Sequence, residues 1–264
     1  MELDKEMSQL ISYESELAKD NDAMVNLYER TQFDGEDILE ALEKKRANPP
    51  PPYPVHYKED KTKGNVYKLA NICTQHSTGD IIHKRKSRRS FQNKPVLSYM
   101  LSEILHYTAG RVPGRSGDHG VRVHPSAGSL YPVDTYLVCK GDDYIEDGWH
   151  LYSVKSHALI SVADKVGTSF LQATFGLKRP PHHFLVWVAD LNRQFGKYGA
   201  NAYRFACLEA GHMAQNTSLV LEHFGLGGFC IGGFDNKRIS HTLNLGELEW
   251  PIYAMAFGEP ACDS

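Results

Sequence analysis

The chain contains no CxxC pair, and its five cysteines (Cys73, Cys139, Cys207, Cys230, Cys262) are scattered. An odd, dispersed set builds neither a disulfide framework nor a cysteine zinc site. A reducing, cytoplasmic compartment is the expectation that follows. The thirteen histidines include no HxxxH or HExxH spacing, and His182 with His183 follows two prolines as a structural pair would, so no metal is expected. No stretch approaches the roughly 18 apolar residues of a membrane span. The opening MELDKEMSQL lacks the basic-then-apolar order of a signal peptide. Basic excess is missing too: 29 Lys and Arg face 32 Asp and Glu, for a net charge of −3. A general nucleic-acid binder needs a basic face, so no nucleic-acid partner is expected.

What is present is an ordinary globular balance, 41% hydrophobic and 23% charged over 264 residues. That is enough for one large core or a core with an appendage. Charge is uneven. Residues 1–46 carry −7, leaving +4 for the rest. We read residues 1–48 as an acidic helical segment, with Leu10, Ile11, Leu17, Val25 and Leu27 as apolar positions of short amphipathic helices. A further helix is expected through Ile38, Leu39 and Leu42, with Asp34 as a possible cap. Residues 49–78 begin with PPPPYP, whose prolines fix φ and remove amide donors, so a stiff connector follows.

The body, residues 79–264, alternates less regularly. An amphipathic helix is predicted over residues 98–108 and a long one over 201–224, each closed by a glycine. Strands are predicted at 135–140, 149–152, 183–190 and along PIYAMAFGEP. The continuous apolar run of HFLVWVAD implies burial on both faces. Strands and helices without strict alternation indicate α+β.

Three separated stretches are built to approach a planar or anionic ligand. HKRKSRRSF places five bases in residues 84–89. If extended, Arg85, Ser87 and Arg89 point one way and suit a phosphate; a solvated basic face is the plain alternative. In VHPSAGSLYP, Pro125, Ser126, Ala127 and Gly128 let a backbone come close to a flat ligand. GLGGFCIGGFD has five glycines without the GxGxxG order and without a strand leading into a helix, so it is a poor dinucleotide fingerprint. Together they point to a phosphorylated mononucleotide. A fourth stretch, FGKYGANAYRF, sets Lys197 beside Tyr198 between two glycines at a helix entrance.

The order RxSxRxF, PSAGSLYP, KY, LEAGHMAQNTSLVLEHFGLG, IGGFD and AFGEP resembles the FMN-dependent nitroreductase superfamily. More narrowly it resembles the SagB-type azoline dehydrogenases, which act in the biosynthesis of thiazole- and oxazole-modified peptides. The resemblance implies a central mixed β-sheet flanked by helices, a homodimer, and FMN at the dimer interface. It implies that Arg85, Lys86, Ser87 and Arg89 hold the phosphate and ribityl chain. Pro125, Ser126, Ala127 and Gly128 would contact the flavin from the partner subunit, Gly232 and Gly233 would run along its edge, and Asn216 is a weaker contact. The C-terminal basic pair of many nitroreductases has no counterpart in GEPACDS.

The resemblance also implies a role for Lys197 and Tyr198. Turning an azoline into an azole removes a proton from the alpha carbon and a hydride from its neighbour. The flavin takes the hydride, and a lysine desolvated beside it can take the proton. The expected activity is oxidation of thiazolines or oxazolines in a precursor peptide, with oxygen as terminal oxidant and a cyclodehydratase as partner. Two other readings stay open: an NAD(P)H-dependent nitro or quinone reductase, and a non-catalytic FMN-bound scaffold.

Overall fold

The computed structural model describes residues 18–32, 77–115, 121–164 and 166–261. The expected second N-terminal helix and the proline strap lie outside them. The helices are α1 (residues 18–31), α2 (Ser77–Lys84), α3 (Ser98–Ala109), α4 (Thr168–Phe175), α5 (Phe195–Tyr198), α6 (Asn201–His223) and α7 (Asn236–Leu243). The strands are β1 (Val133–Cys139), β2 (Gly148–Ser153), β3 (Ala158–Asp164), β4 (His183–Asp190), β5 (Gly227–Ile231) and β6 (Glu249–Gly258). They form one sheet in the order β3-β2-β1-β4-β6-β5, and every pairing of these strands is antiparallel. Ser87 adds a parallel bridge to Gly228 on the β5 edge, which makes the sheet mixed.

Period-two alternation divides the core. Leu185, Trp187 and Ala189 of β4 face one cluster with Leu137, Met255 and Phe257, under α1, α3 and α6. Phe184, Val186 and Val188 face the other with Val138, Ala254 and Ala256, under α4 and α7. The continuous apolar run of β4 is therefore buried on both faces. On the second face Phe175 of α4 stacks on Phe184 at 4.3 Å between ring centroids.

The N-terminal helix belongs to this core. Met24 and Tyr28, four residues apart on one helix face, are buried. Tyr28 stacks on Trp250 at 4.2 Å and accepts a hydrogen bond from Asn236 Nδ2 at 3.2 Å. Leu27, expected on the apolar face, is instead exposed. It sits one position from Tyr28, about 100° around the helix.

α6 ends where Gly225, at φ +69°, turns the chain into β5. The glycine-rich stretch corrects one sequence expectation. GGFCI is itself a strand, and it leads into α7, whose first turn is capped by Asp235 accepting from the Arg238 amide at 2.9 Å. Glycines lowered its strand propensity, and pairing along β6 overrides that.

Candidate active site

Residues 85–91 run extended beside β5. The Arg88 amide donates to the Gly228 carbonyl at 3.1 Å. Alternation then sorts the basic run. Arg88 turns inward, pairs with Glu222 at 2.8 Å and donates to the Leu226 carbonyl at 3.2 Å, so it is a structural cation. Arg89 lies over the Phe229 ring, 5.3 Å from its centroid. Burial pushes the Cys230 thiol up, while the Tyr253 hydroxyl and the Arg85 charge oppose that shift, which puts Arg85 near β5 as well. Lys86 and Ser87 are exposed. Beyond β5, Gly232 faces open space where a side chain would stand. An exposed hydroxyl, two guanidinium groups and an uncluttered glycine turn along one sheet edge fit a phosphate and a flat ring.

A second candidate stretch lies at the start of β1. Ala127, Gly128 and Ser129 make a single tight turn. Gly128, Ser129 and Tyr131 all have positive φ (60°, 55° and 48°). Two non-glycine residues in this region cost about 1 kcal/mol or more each, and such strain clusters at functional sites. Ser126 Oγ accepts from the Tyr131 amide at 2.9 Å and braces the turn.

After β4 a short 3₁₀ turn and α5 present Lys197 and Tyr198. They meet the loop directly: a methyl group on Gly128 would lie 2.6 Å from Tyr198 Oη and 2.8 Å from Lys197 Nζ. Lys197 Nζ is 5.2 Å from the Tyr198 ring centroid, and that ring packs edge-on against Phe205 at 5.0 Å. Lys197 is exposed and Tyr198 half-buried within one chain, so the desolvation expected of the lysine is not supplied by the chain itself. Asp20 of α1 reaches this turn too. Its carboxylate accepts from the Ala200 amide at 3.5 Å, next to Gly199 at φ +53°.

Asn216 sits differently from the other candidates. Its Nδ2 donates to the carbonyls of Tyr107 and Val123, at 3.2 and 3.4 Å, tying α3 and α6 to the segment that enters the loop. Sequence reasoning also missed a pair beside the loop. His124 and Glu209 are both buried, with Nε2 and Oε1 3.4 Å apart, and neither ring nitrogen nor Oε1 makes a hydrogen bond among the described residues. Glu209, with Phe205, Leu208 and His212, lines a cleft of about 260 Å³ against residues 125–127. The available signal was an acid on the apolar stripe of α6, between Ala206, Ala210 and Met213.

A sheet edge bearing exposed cations and a lysine-tyrosine pair against a strained loop make up the candidate site. The nitroreductase family model matches residues 82–259, and the chain belongs to that family of oxidoreductases. Among relatives, the microcin B17-processing protein McbC of Escherichia coli is 30% identical over 201 residues, 72% of each chain. The nitroreductase-like protein MJ1384 of Methanocaldococcus jannaschii is 28% identical over 184 residues, 68% of this chain and 89% of that one. The fold matches the E. coli microcin synthetase McbBCD complex with truncated pro-MccB17 bound, with a TM-score of 0.59 and 22% identity over 90% of this chain and 96% of that chain. A nitroreductase-like protein of Ralstonia eutropha matches with the same TM-score at 24% identity, over 74% and 89%. No helix among the described residues is long and apolar enough to cross a membrane.

Proposed function

We propose that the protein is an FMN-dependent dehydrogenase that oxidises thiazoline or oxazoline rings of a ribosomally made peptide to thiazoles or oxazoles. The observation that carries this reading is the approach of Lys197 and Tyr198 to Gly128. A reductase that only passes hydride from a nicotinamide to a small acceptor has no need of an amine and a phenol focused on one backbone position. An azoline oxidase needs a base there, because one of the two hydrogens leaves as a proton. The similarity to McbC supports the same direction.

Arg85, Ser87 and Arg89 would hold the phosphate, Gly232 and Gly233 would border the ring, and residues 125–128 would cover it, in a homodimer from the other subunit. FMN, when bound there, would supply a two-electron acceptor for the hydride that oxygen could reoxidise. The remaining chemistry belongs to the chain. Lys197 Nζ or Tyr198 Oη removes the alpha proton, and the other group hydrogen-bonds the ring or relays that proton to solvent. Because Gly128 has no side chain, both groups can approach the loop backbone closely enough to meet a substrate held against it. A cyclodehydratase supplies the azoline peptide.

The test is an absorbance spectrum of the purified protein, then aerobic incubation with an azoline-bearing peptide and mass spectrometry. A yellow protein that removes two hydrogens per ring is the expected result. A yellow protein that leaves the peptide unchanged and is bleached by NADPH would replace this reading with the nitro or quinone reductase. A yellow protein without either activity would indicate a scaffold. A colourless protein that cannot be reconstituted with FMN would end the reading of residues 85–89.

A further inference from the structure

Beside the candidate active site, a cleft of about 630 Å³ opens between Tyr131, the end of β2 and the turn that follows it. Arg111, Arg122, Lys155 and Arg193 border it, against Asp134. Arg193 is already matched. It forks onto Asp134 at 2.9 and 2.6 Å and reaches Asp190 at 2.9 Å. Both acids bond to this one arginine, while the Asp134 and Glu209 charges also reach Arg122, leaving Arg111 and Lys155 as the least opposed cations.

Arg122 is the most constrained of the three cations other than Arg193. Its amide donates to Tyr131 Oη at 3.1 Å, and its guanidinium lies 4.7 Å from the Tyr131 ring centroid. Its Nε is buried without a hydrogen-bond partner. A cation held at a desolvation cost with an unused donor is a group that gains from an incoming anion. Arg111 is its bridge partner across the backbone, so the two guanidinium groups start from neighbouring positions. Among the described residues neither Arg111 nor Lys155 has an ion-pair partner, and both are exposed.

The cleft joins the reaction centre at both of its sides. Tyr131 is bonded to Ser126 in the loop that carries Gly128, and Arg193 lies on residues 191–198 with Lys197 and Tyr198. Its lining is strand, turn and aromatic ring, with Leu130, Leu151 and Val154 contributing apolar surface. Among the described residues that line it, no helix N-terminus or glycine nest of the kind that selects phosphate borders it. Guanidinium forks above an apolar floor suit carboxylate side chains of an extended chain.

We propose that this cleft is a subsite for acidic side chains of the peptide substrate, with Arg111, Arg122 and Lys155 as its carboxylate-binding groups. The assignment rests on the peptide-oxidase reading above.

The experiment is fluorescence anisotropy of the full-length, flavin-loaded protein at low salt. The probe is fluorescein-labelled hexaglutamate, with labelled hexaglutamine as control. Hexaglutamate should bind, hexaglutamine should bind much more weakly, and Arg111→Glu/Lys155→Glu should weaken hexaglutamate by roughly tenfold or more. If the reversal prevents folding, Arg111→Gln/Lys155→Gln replaces it, with an effect of about threefold. Equal binding by wild type and variant, or no preference for glutamate, overturns the proposal. So does a variant that loses NADPH affinity but keeps hexaglutamate, since the cleft would then read a nucleotide phosphate. Because binding is read without turnover, charge-dependent hexaglutamate binding by a protein that never oxidises an azoline would sink the function and spare the subsite. Ring oxidation with KM unmoved by the charge reversal would do the opposite.

Discussion

Gly128→Ala tests the geometry at its narrowest point. The added methyl would stand 2.6 Å from Tyr198 Oη and 2.8 Å from Lys197 Nζ, where contact distance is nearer 3.5 Å. Each atom must retreat by most of an ångström. Lys197 can do so by rotating a flexible, exposed chain. Tyr198 cannot, since its half-buried ring abuts Phe205. A misplacement of about 1 Å at a reacting group costs on the order of 100-fold in rate. Stability changes less. An alanine at φ +60° costs about 1–2 kcal/mol, within the tolerance of a folded domain of this size. The assay is steady-state ring oxidation by mass spectrometry, beside flavin content and thermal unfolding. The expected outcome is a kcat down by about 100-fold, KM within a few-fold, flavin retained and melting lowered by a few degrees. Activity within twofold of wild type in a folded, flavin-loaded variant would refute the claim that these three residues form one centre.

Lys197→Ala and Tyr198→Phe should each lower azole formation by roughly 100-fold or more while the flavin spectrum persists, the range for a lost general base or its partner; loss of flavin instead would make them binding residues. Tyr28→Ala should destabilise the protein by about 3–5 kcal/mol in denaturant titration, because the ring is buried against Trp250; a change below about 1 kcal/mol would mean that α1 is a loose appendage. Asp20→Ala should leave the fold intact and lower turnover several-fold through the Ala200 amide; unchanged turnover would show that the turn positions itself. His183, buried against Phe257 and beside His182, is pushed down to about 3, chiefly by burial and then by the neighbouring imidazole. Its folded pKa is below its unfolded one, so the unfolded chain binds more protons between the two values. Its contribution is complete above about 6.5 and is lost as pH falls toward 3. In His183→Phe the acid limb of stability against pH should flatten across that window, and an unchanged limb would count against it.

Much of this architecture was legible because burial writes itself as periodicity. HFLVWVAD appears over the predicted residues, since a strand covered on both faces cannot contain solvent-facing polar positions. The helix at residues 98–109 and the long α6 end at the glycines that the pattern marks. β3 and α4 were missed. β3 is an edge strand with Ile160 and Val162 exposed, so its alternation carries no burial signal, and α4 is two turns long without a side-chain cap. Within the acidic N-terminal segment, Met24 and Tyr28 pack residues 18–31 onto the core, so a deletion of residues 1–46 removes core contacts as well as charge. Sequence could not place Lys197 beside Gly128 within one chain, because 69 positions and four strands separate them. The His124 and Glu209 pair shows the limit from the other side: Glu209 is unusual on its apolar stripe, but only the fold brings His124 to it.

Exposure decides what kind of substrate this centre can serve. Lys197, Lys86 and Ser87 face solvent in a single chain, as does the Gly232 turn. A solvated ammonium is a poor base, and a wet sheet edge weakens every electrostatic contact with a ligand. Something must therefore cover the site before proton transfer is efficient. A small quinone or nitroarene covers little. On the proposed function, a peptide lying from the Arg111, Arg122 and Lys155 cleft past Tyr131 to the Gly128 loop would cover the lysine as it binds. On this arrangement substrate binding and base activation are one event. The reaction should then depend on peptide length on the side of the ring that faces the cleft, with short azoline peptides losing kcat as well as affinity, because remote contacts supply the desolvation the reacting atoms require.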